Sequence, residues 1–120
     1  MTVLEAIQEI DSLKPNAYSQ AQKVIWLDRL DQFIQRSVLD RYPHRVAEAA
    51  FEAGDPERKL LMPEPFDQGY LHWLESKIHY FNEEIDRYNS AVRMFRSVFE
   101  DYQQELHRRT EPSAPGPFRI

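Results

Sequence analysis

The sequence predicts an all-α fold: a short N-terminal helix, a second helix of about 20 residues, an irregular Pro-rich connection, and a long C-terminal helix that is continuous, bent or broken. Three observations carry this expectation. Apolar residues recur at steps of three and four rather than alternating. Helix-start signatures precede the first two runs. The prolines other than Pro15 gather in two places, 43–65 and 112–117, where regular structure must stop.

The first helix is placed at 2–12. Thr2 followed by Glu5 fits a capping box, in which each residue satisfies a backbone N–H of the other. Leu4, Ile7 and Ile10 then mark one face, and Lys14-Pro15-Asn16 ends the helix because a residue before proline avoids the helical region. Ser19 with Gln22 opens the second helix, placed at 20–41. Leu27, Leu30, Ile34 and Val38 form its stripe, widened by Trp26 and Phe33. Asp28, Arg29, Gln32, Gln35 and Arg36 are assigned to a polar back.

Residues 42–65 are interrupted by Pro43, Gly54, Pro56, Pro63 and Pro65. Positions 46–53 are alanine-rich and are read as one or two helical turns. Positions 55–65 are read as a loop, with a short extended piece at Leu60-Leu61-Met62. So long an irregular connection in a small domain is a place to look for contact with a neighbour.

From residue 66 the apolar stripe is regular: Tyr70, Leu74, Ile78, Phe81, Ile85, Tyr88, Val92, Phe95, Phe99, Tyr102 and Leu106. As one straight helix it would reach roughly 55 Å at 1.5 Å per residue. Either it breaks near Asn82 or Asn89-Ser90 into a hairpin, or it stays continuous and packs on other subunits. No glycine or proline lies between Gly69 and Pro112, which favours one continuous or bent helix over 66–108. On this reading Leu74→Asp and Ile85→Asp both unfold the domain, whereas Tyr80→Ala leaves it folded. The organisation expected is one helical domain over 1–110 and a Pro-rich tail over 111–120. That tail is either a frayed terminus or an arm that orders on a partner through Phe118 and Ile120.

Little in the chain suggests chemistry. There is no cysteine, which excludes disulfides, thiolate metal sites and a cysteine nucleophile. The three glycines are isolated, so no phosphate-cradling loop is present, and no serine sits in a Gly-x-Ser-x-Gly context. His72, Glu75 and His79 lie within two turns, but the spacing is not His-Glu-x-x-His. Glu83-Glu84 and Glu100-Asp101 are adjacent pairs whose side chains diverge on a helix. The expectation is no enzyme, no metal and no cofactor.

The formal net charge of −5 is spread along the chain, and only Arg108-Arg109 is a basic cluster. Specific nucleic-acid binding is therefore not expected, since a phosphate binder concentrates base on one face. No apolar run is long enough for a bilayer, and the N-terminus lacks a basic region followed by an apolar one, so neither membrane contact nor a signal peptide is expected.

Aromatic loading is the distinctive feature. Residues 66–102 hold nine of the fifteen aromatics, more than one helix of a small domain can hide. The interface candidates drawn from this region and from the Pro-rich segments are Pro63, Pro65, Phe66, Tyr70, Trp73, Tyr80, Tyr88 and Phe118.

Three stretches together resemble a known family. They are Leu13-Lys14-Pro15-Asn16-Ala17-Tyr18-Ser19, then Trp26-Leu27-Asp28-Arg29-Leu30-Asp31. The third runs from Leu60 through Pro63-Glu64-Pro65-Phe66-Asp67 and Tyr70-Leu71-His72-Trp73-Leu74-Glu75-Ser76-Lys77-Ile78, on to Asn82-Glu83-Glu84-Ile85 and Tyr88-Asn89-Ser90. This pattern resembles the small helical head–tail connector (adaptor) proteins of phages and prophages of Gram-positive bacteria. The resemblance implies a structural subunit that assembles with itself into a ring or other homo-oligomer. It implies portal and tail-completion proteins as partners, and residence in the bacterial host cytoplasm and the virion. The alternative from another class is a helical adaptor or regulatory module that binds a non-virion protein.

Overall fold

The computed structural model describes residues 1–41 and 51–110. Residues 46–50 of the turns expected at 46–53, and the tail at 111–120, lie outside the described residues; Phe51, Glu52 and Ala53 are described and are not helical. Four α-helices and one 3-10 turn make up the regular structure of the described residues, and the fold is all-α.

Helix α1 spans Val3–Leu13 and begins as its sequence dictates. Thr2 Oγ1 accepts the Glu5 N–H at 3.1 Å, and Glu5 Oε1 accepts the Thr2 N–H at 2.9 Å. Val3, Ala6, Ile7 and Ile10 form its buried face. Helix α2 spans Gln20–Ser37, with Ser19 Oγ accepting the Gln22 N–H at 3.1 Å. It ends earlier than expected, and Leu39–Arg41 tighten into the 3-10 turn. Asp28 was expected on a polar back, yet it is buried along with Asp31 and Lys23. The covered arc of α2 is wider than the apolar stripe because the following connection packs across its flank.

That connection is irregular but anchored. Val3 N–H donates to Arg58 O and Leu60 N–H to Met1 O, both at 3.0 Å, around an antiparallel bridge between Thr2 and Lys59. Leu4 N–H donates to Pro56 O at 2.9 Å. The connection thus satisfies two of the orphan donors that open α1. It also drives Leu60 and Met62 into the core.

The long stripe is a helical hairpin, not one helix. Helix α3 spans Gln68–Phe81 and α4 spans Ile85–Thr110. Between them Glu83 adopts φ 61°. Glu84 N–H donates to His79 O at 2.9 Å and Glu83 N–H to Tyr80 O at 3.1 Å. This is the Schellman pattern of helix termination, with glutamate in the left-handed position that glycine usually takes. Continuity was favoured because no glycine or proline is present; the stop is made by hydrogen bonds instead. Antiparallel packing is close at Gly69, where a Cβ would lie 3.1 Å from Val98 Cγ1 and 3.2 Å from Met62 Cε. Tyr70, Leu74 and Ile78 of α3 face α1 and α2 in a single core with Leu27, Leu30 and Ile34. At about 39 Å, α4 is nearly twice as long as α3 and runs on past its start.

Candidate interaction surface

The described residues offer two clusters, one at the free end of the α3–α4 hairpin and one buried behind it. The free end is aromatic. Trp26 of α2 stacks on Phe81 with ring centroids 5.7 Å apart and planes at 5°. Tyr18, from the segment joining α1 to α2, meets Trp26 edge-on at 5.5 Å, and its hydroxyl donates to Asn82 Oδ1 at 2.6 Å. Tyr80 contacts Phe81 at 5.1 Å and Tyr88 at 5.4 Å. Each such pair adds about 0.5–1.5 kcal/mol beyond the area it buries. The cluster is nonetheless half open: Tyr80 is 53% exposed, Phe81 52% and Ile85 61%. Large apolar side chains are thus gathered, half open, at one end of the fold.

The same turn holds a polar bracket. His79 is buried, with Nδ1 2.7 Å from Glu84 Oε1 and Nε2 3.3 Å from Glu75 Oε2. The His79–Glu84 pair stands where a Schellman turn usually has an apolar contact. The hydrogen bond to His79 is the first cause that holds the Glu84 carboxyl below its ordinary range. Lys14 Nζ approaches Glu75 Oε2 at 3.4 Å. No group of three or more candidate ligands among the described residues is arranged to hold a metal ion.

The buried cluster is a clasp. Arg58 donates from Nη2 to Asp28 Oδ1 at 2.7 Å and from Nη1 to Asp31 Oδ2 at 2.8 Å. Tyr70 donates its hydroxyl to Asp31 Oδ1 at 2.5 Å while accepting the Met62 N–H at 2.8 Å. Leu61 N–H donates to Asp31 Oδ2, and Gly54 N–H reaches Asp28 Oδ2 at 2.7 Å. Gly54 sits at φ 87°, a conformation that suits a residue without a Cβ. The Arg58 guanidinium also lies 3.9 Å over the Phe51 ring. Burial pushes the Asp31 carboxyl up, against the hydrogen bonds from Tyr70 and Arg58 that favour its anion. With Arg58 paired to both carboxylates, the clasp fastens the connection to α2 and α3.

The interface candidates scatter across these settings. Tyr80 is exposed at the free end, and Tyr88 is half-buried beneath it. Pro63 and Pro65 are exposed on the connection. Phe66 is half-buried against the Tyr102 ring at 5.6 Å. Trp73 is half-buried, donates Nε1–H to Trp26 O at 3.0 Å, and carries Lys77 Nζ 4.6 Å above its ring. Tyr70 is a correction: at 0% exposure it is core and offers nothing to a partner. Phe118 lies outside the described residues. Phe81 and Ile85 were assigned to the inward stripe, but the chain turns at Glu83, so Phe81 ends α3 and Ile85 opens α4 and both are exposed at that end of the hairpin. Asp28, Asp31 and Arg58 gave no signal in the sequence, because their pairing joins positions about thirty residues apart.

No helix of the described residues is long and apolar enough to cross a membrane. Comparison with protein-family models, with curated proteins and with solved structures finds no match.

Proposed function

We propose that this protein is a structural subunit of a phage or prophage head–tail connector, joining portal and capsid to tail through helical protein–protein contacts rather than through catalysis. The observation that carries the reading is the exposed aromatic end of the hairpin formed by Tyr80, Phe81 and Ile85. A protein that works by assembly needs such a surface, held rigidly enough to meet a partner at low entropic cost. The Tyr18–Asn82 hydrogen bond and the stacking of Phe81 on Trp26 hold that end to the rest of the fold. The resemblance in the connection, α3 and the turn adds the identity of the assembly. The acidic balance suits a part that lets DNA pass without gripping it.

The test is to mix the purified chain with portal protein and examine the mixture by native mass measurement and negative-stain imaging. Rings, or a stable complex with portal, are expected. A strict monomer with portal present argues for the regulatory-adaptor class instead, as does a one-to-one complex with a non-virion protein. Portal, capsid and tail genes beside the coding sequence are the expected genomic context.

A further inference from the structure

Two bases on the outer side of α2 and α3 are left without acids, because the acids of both helices are engaged elsewhere. Asp28 and Asp31, the two acids of α2, are turned inward onto Arg58. Glu75, the one acid of α3, is committed to Lys14 and His79. Arg29 and Lys77 make no ion pair with any described residue. Burial first, and then the charge of Arg29, pull the Lys77 ammonium below the ordinary lysine range. Two neighbouring cations with no anion between them are unfavourable in the free chain.

These bases border a seam of rings. Phe33 of α2 meets Phe99 of α4 at 6.2 Å, Phe99 stacks on Phe95 at 5.5 Å with planes at 15°, and Phe95 meets Trp73 of α3 at 5.2 Å. Lys77 Nζ lies 4.6 Å above the Trp73 ring, and Arg29 stands one turn before Phe33 on α2. The hydrogen bond from Trp73 Nε1–H to Trp26 O fixes the ring between the helices. None of the four rings is fully buried, and Phe33 is 47% exposed. Three helices thus present one apolar strip with an unpaired cation on two of them.

The complement of such a strip is acidic and apolar together. A nucleic-acid strand fits it less well, since bases need free ring faces, whereas Phe95 and Phe99 cover each other and Lys77 covers Trp73. Two cations on a chain of net charge −5 are also a poor track for a phosphate backbone. We infer that the Phe33–Phe99–Phe95–Trp73 seam docks an acidic segment of another protein, its apolar side chains against Phe33 and its carboxylates facing Arg29 and Lys77. The docked carboxylates relieve the repulsion between the two cations and fix the orientation of the segment. This surface is separate from the aromatic end of the hairpin, and the inference holds whichever assembly the protein serves.

The test titrates the full chain into a labelled synthetic peptide that alternates glutamate with leucine and phenylalanine, read by fluorescence anisotropy. The peptide is expected to bind, to weaken as salt rises, and to shift the Trp73 indole N–H signal in nuclear magnetic resonance spectra. Its counterpart with lysine for glutamate is expected not to bind. Arg29→Glu and Lys77→Met should each weaken the acidic peptide by about tenfold or more. Methionine keeps an apolar stem on Trp73 and removes the repulsion, so Lys77→Met should hold its thermal midpoint while losing the peptide. The double variant Arg29→Glu with Lys77→Glu should bind the lysine peptide instead, an exchange that a purely structural role of these residues would not produce. Failure of the acidic peptide to bind in the millimolar range overturns the inference, as does unchanged affinity in both Arg29→Glu and Lys77→Met. Equal binding of the lysine peptide overturns it too. Tighter binding of oligothymidylate, or self-association abolished by Arg29→Glu, assigns the seam to nucleic acid or to a second copy and overturns it as well. The connector reading keeps its separate test against portal protein, so the two fail independently.

Discussion

Tyr70 of α3 donates its hydroxyl proton to Asp31 of α2 across 2.5 Å, and both side chains are fully buried. One hydrogen bond thus ties the hairpin to the second helix. The same Tyr70 oxygen accepts the Met62 N–H, so the connection is fastened at the same atom. Tyr70→Phe strips a donor from a buried carboxylate and an acceptor from a buried amide. The expected loss is roughly 2–3 kcal/mol in urea unfolding. Arg58→Met leaves two buried carboxylates without their cation and is expected to cost more, about 3–5 kcal/mol. A double-mutant cycle between Arg58 and Asp31 should show strong coupling; additive losses would mean that the two side chains act independently.

The buried tyrosines set the alkaline limit of stability. Burial pushes the Tyr102 phenol up to about 12, and burial first, then the Asp31 charge, holds Tyr70 well above 10. Raised folded-state values mean that the stabilising contribution is complete below the ordinary tyrosine value of 10. It is lost as pH rises through the folded-state values. Between pH 10 and about 12 the unfolded chain releases these protons while the folded chain keeps them. Each phenol should therefore remove about 1.4 kcal/mol of stability per pH unit in that window. Tyr102→Phe should flatten this slope by one proton in denaturant titrations. An unchanged slope would show that Tyr102 ionises as readily folded as unfolded.

What could be read in the sequence was what depends on neighbours along the chain. The caps at Thr2–Glu5 and Ser19–Gln22 and the stop before Pro15 all involve residues within a few positions of one another. A hairpin broken near Asn82 was one of two readings the stripe allowed, and the sequence did not decide for it, because the stop uses backbone hydrogen bonds around Glu83 and a His79–Glu84 pair in place of glycine. Extrapolating the stripe across that stop put Ile85 inside, and ignoring that α3 ends at Phe81 hid the open aromatic end. Tyr80 lay off the stripe from the start and is exposed, whereas Tyr70 lay on it and is core. The clasp was invisible because Arg58 lies in a loop whose path over α2 follows from tertiary packing alone.

The two ends of the stripe should respond oppositely to the same charge. Leu74 is wholly buried between α3 and the other helices, so Leu74→Asp places an unpaired carboxylate in the core. A loss above about 4 kcal/mol is expected, a large fraction of the roughly 5–15 kcal/mol that holds an ordinary domain folded. Ile85 is 61% exposed and is the first residue of α4. Ile85→Asp removes little packing and places an acid where the helix dipole favours one. Its thermal midpoint should stay within a few degrees of the unaltered chain; unfolding of Ile85→Asp would restore the inward assignment of Ile85.

Glu83 carries the remaining strain of the turn. A side chain at φ 61° costs about 1–2 kcal/mol relative to glycine, because its Cβ crowds the following carbonyl. Glu83→Gly relieves that crowding but gives the unfolded chain more freedom, which offsets part of the gain. A net stabilisation of roughly 0.5–1 kcal/mol is expected in urea unfolding at neutral pH. Glu83→Val should be worse than the glutamate, since branching at Cβ aggravates the same clash. The His79–Glu84 pair supplies an internal control with its own pH signature. A lowered carboxyl value stabilises the fold above the ordinary glutamate range, and that contribution is lost as pH falls through the lowered value. Glu84→Gln should erase this acid dependence while leaving the benefit of Glu83→Gly intact. If Glu83→Gly destabilises the protein instead, the left-handed turn is not where α3 ends.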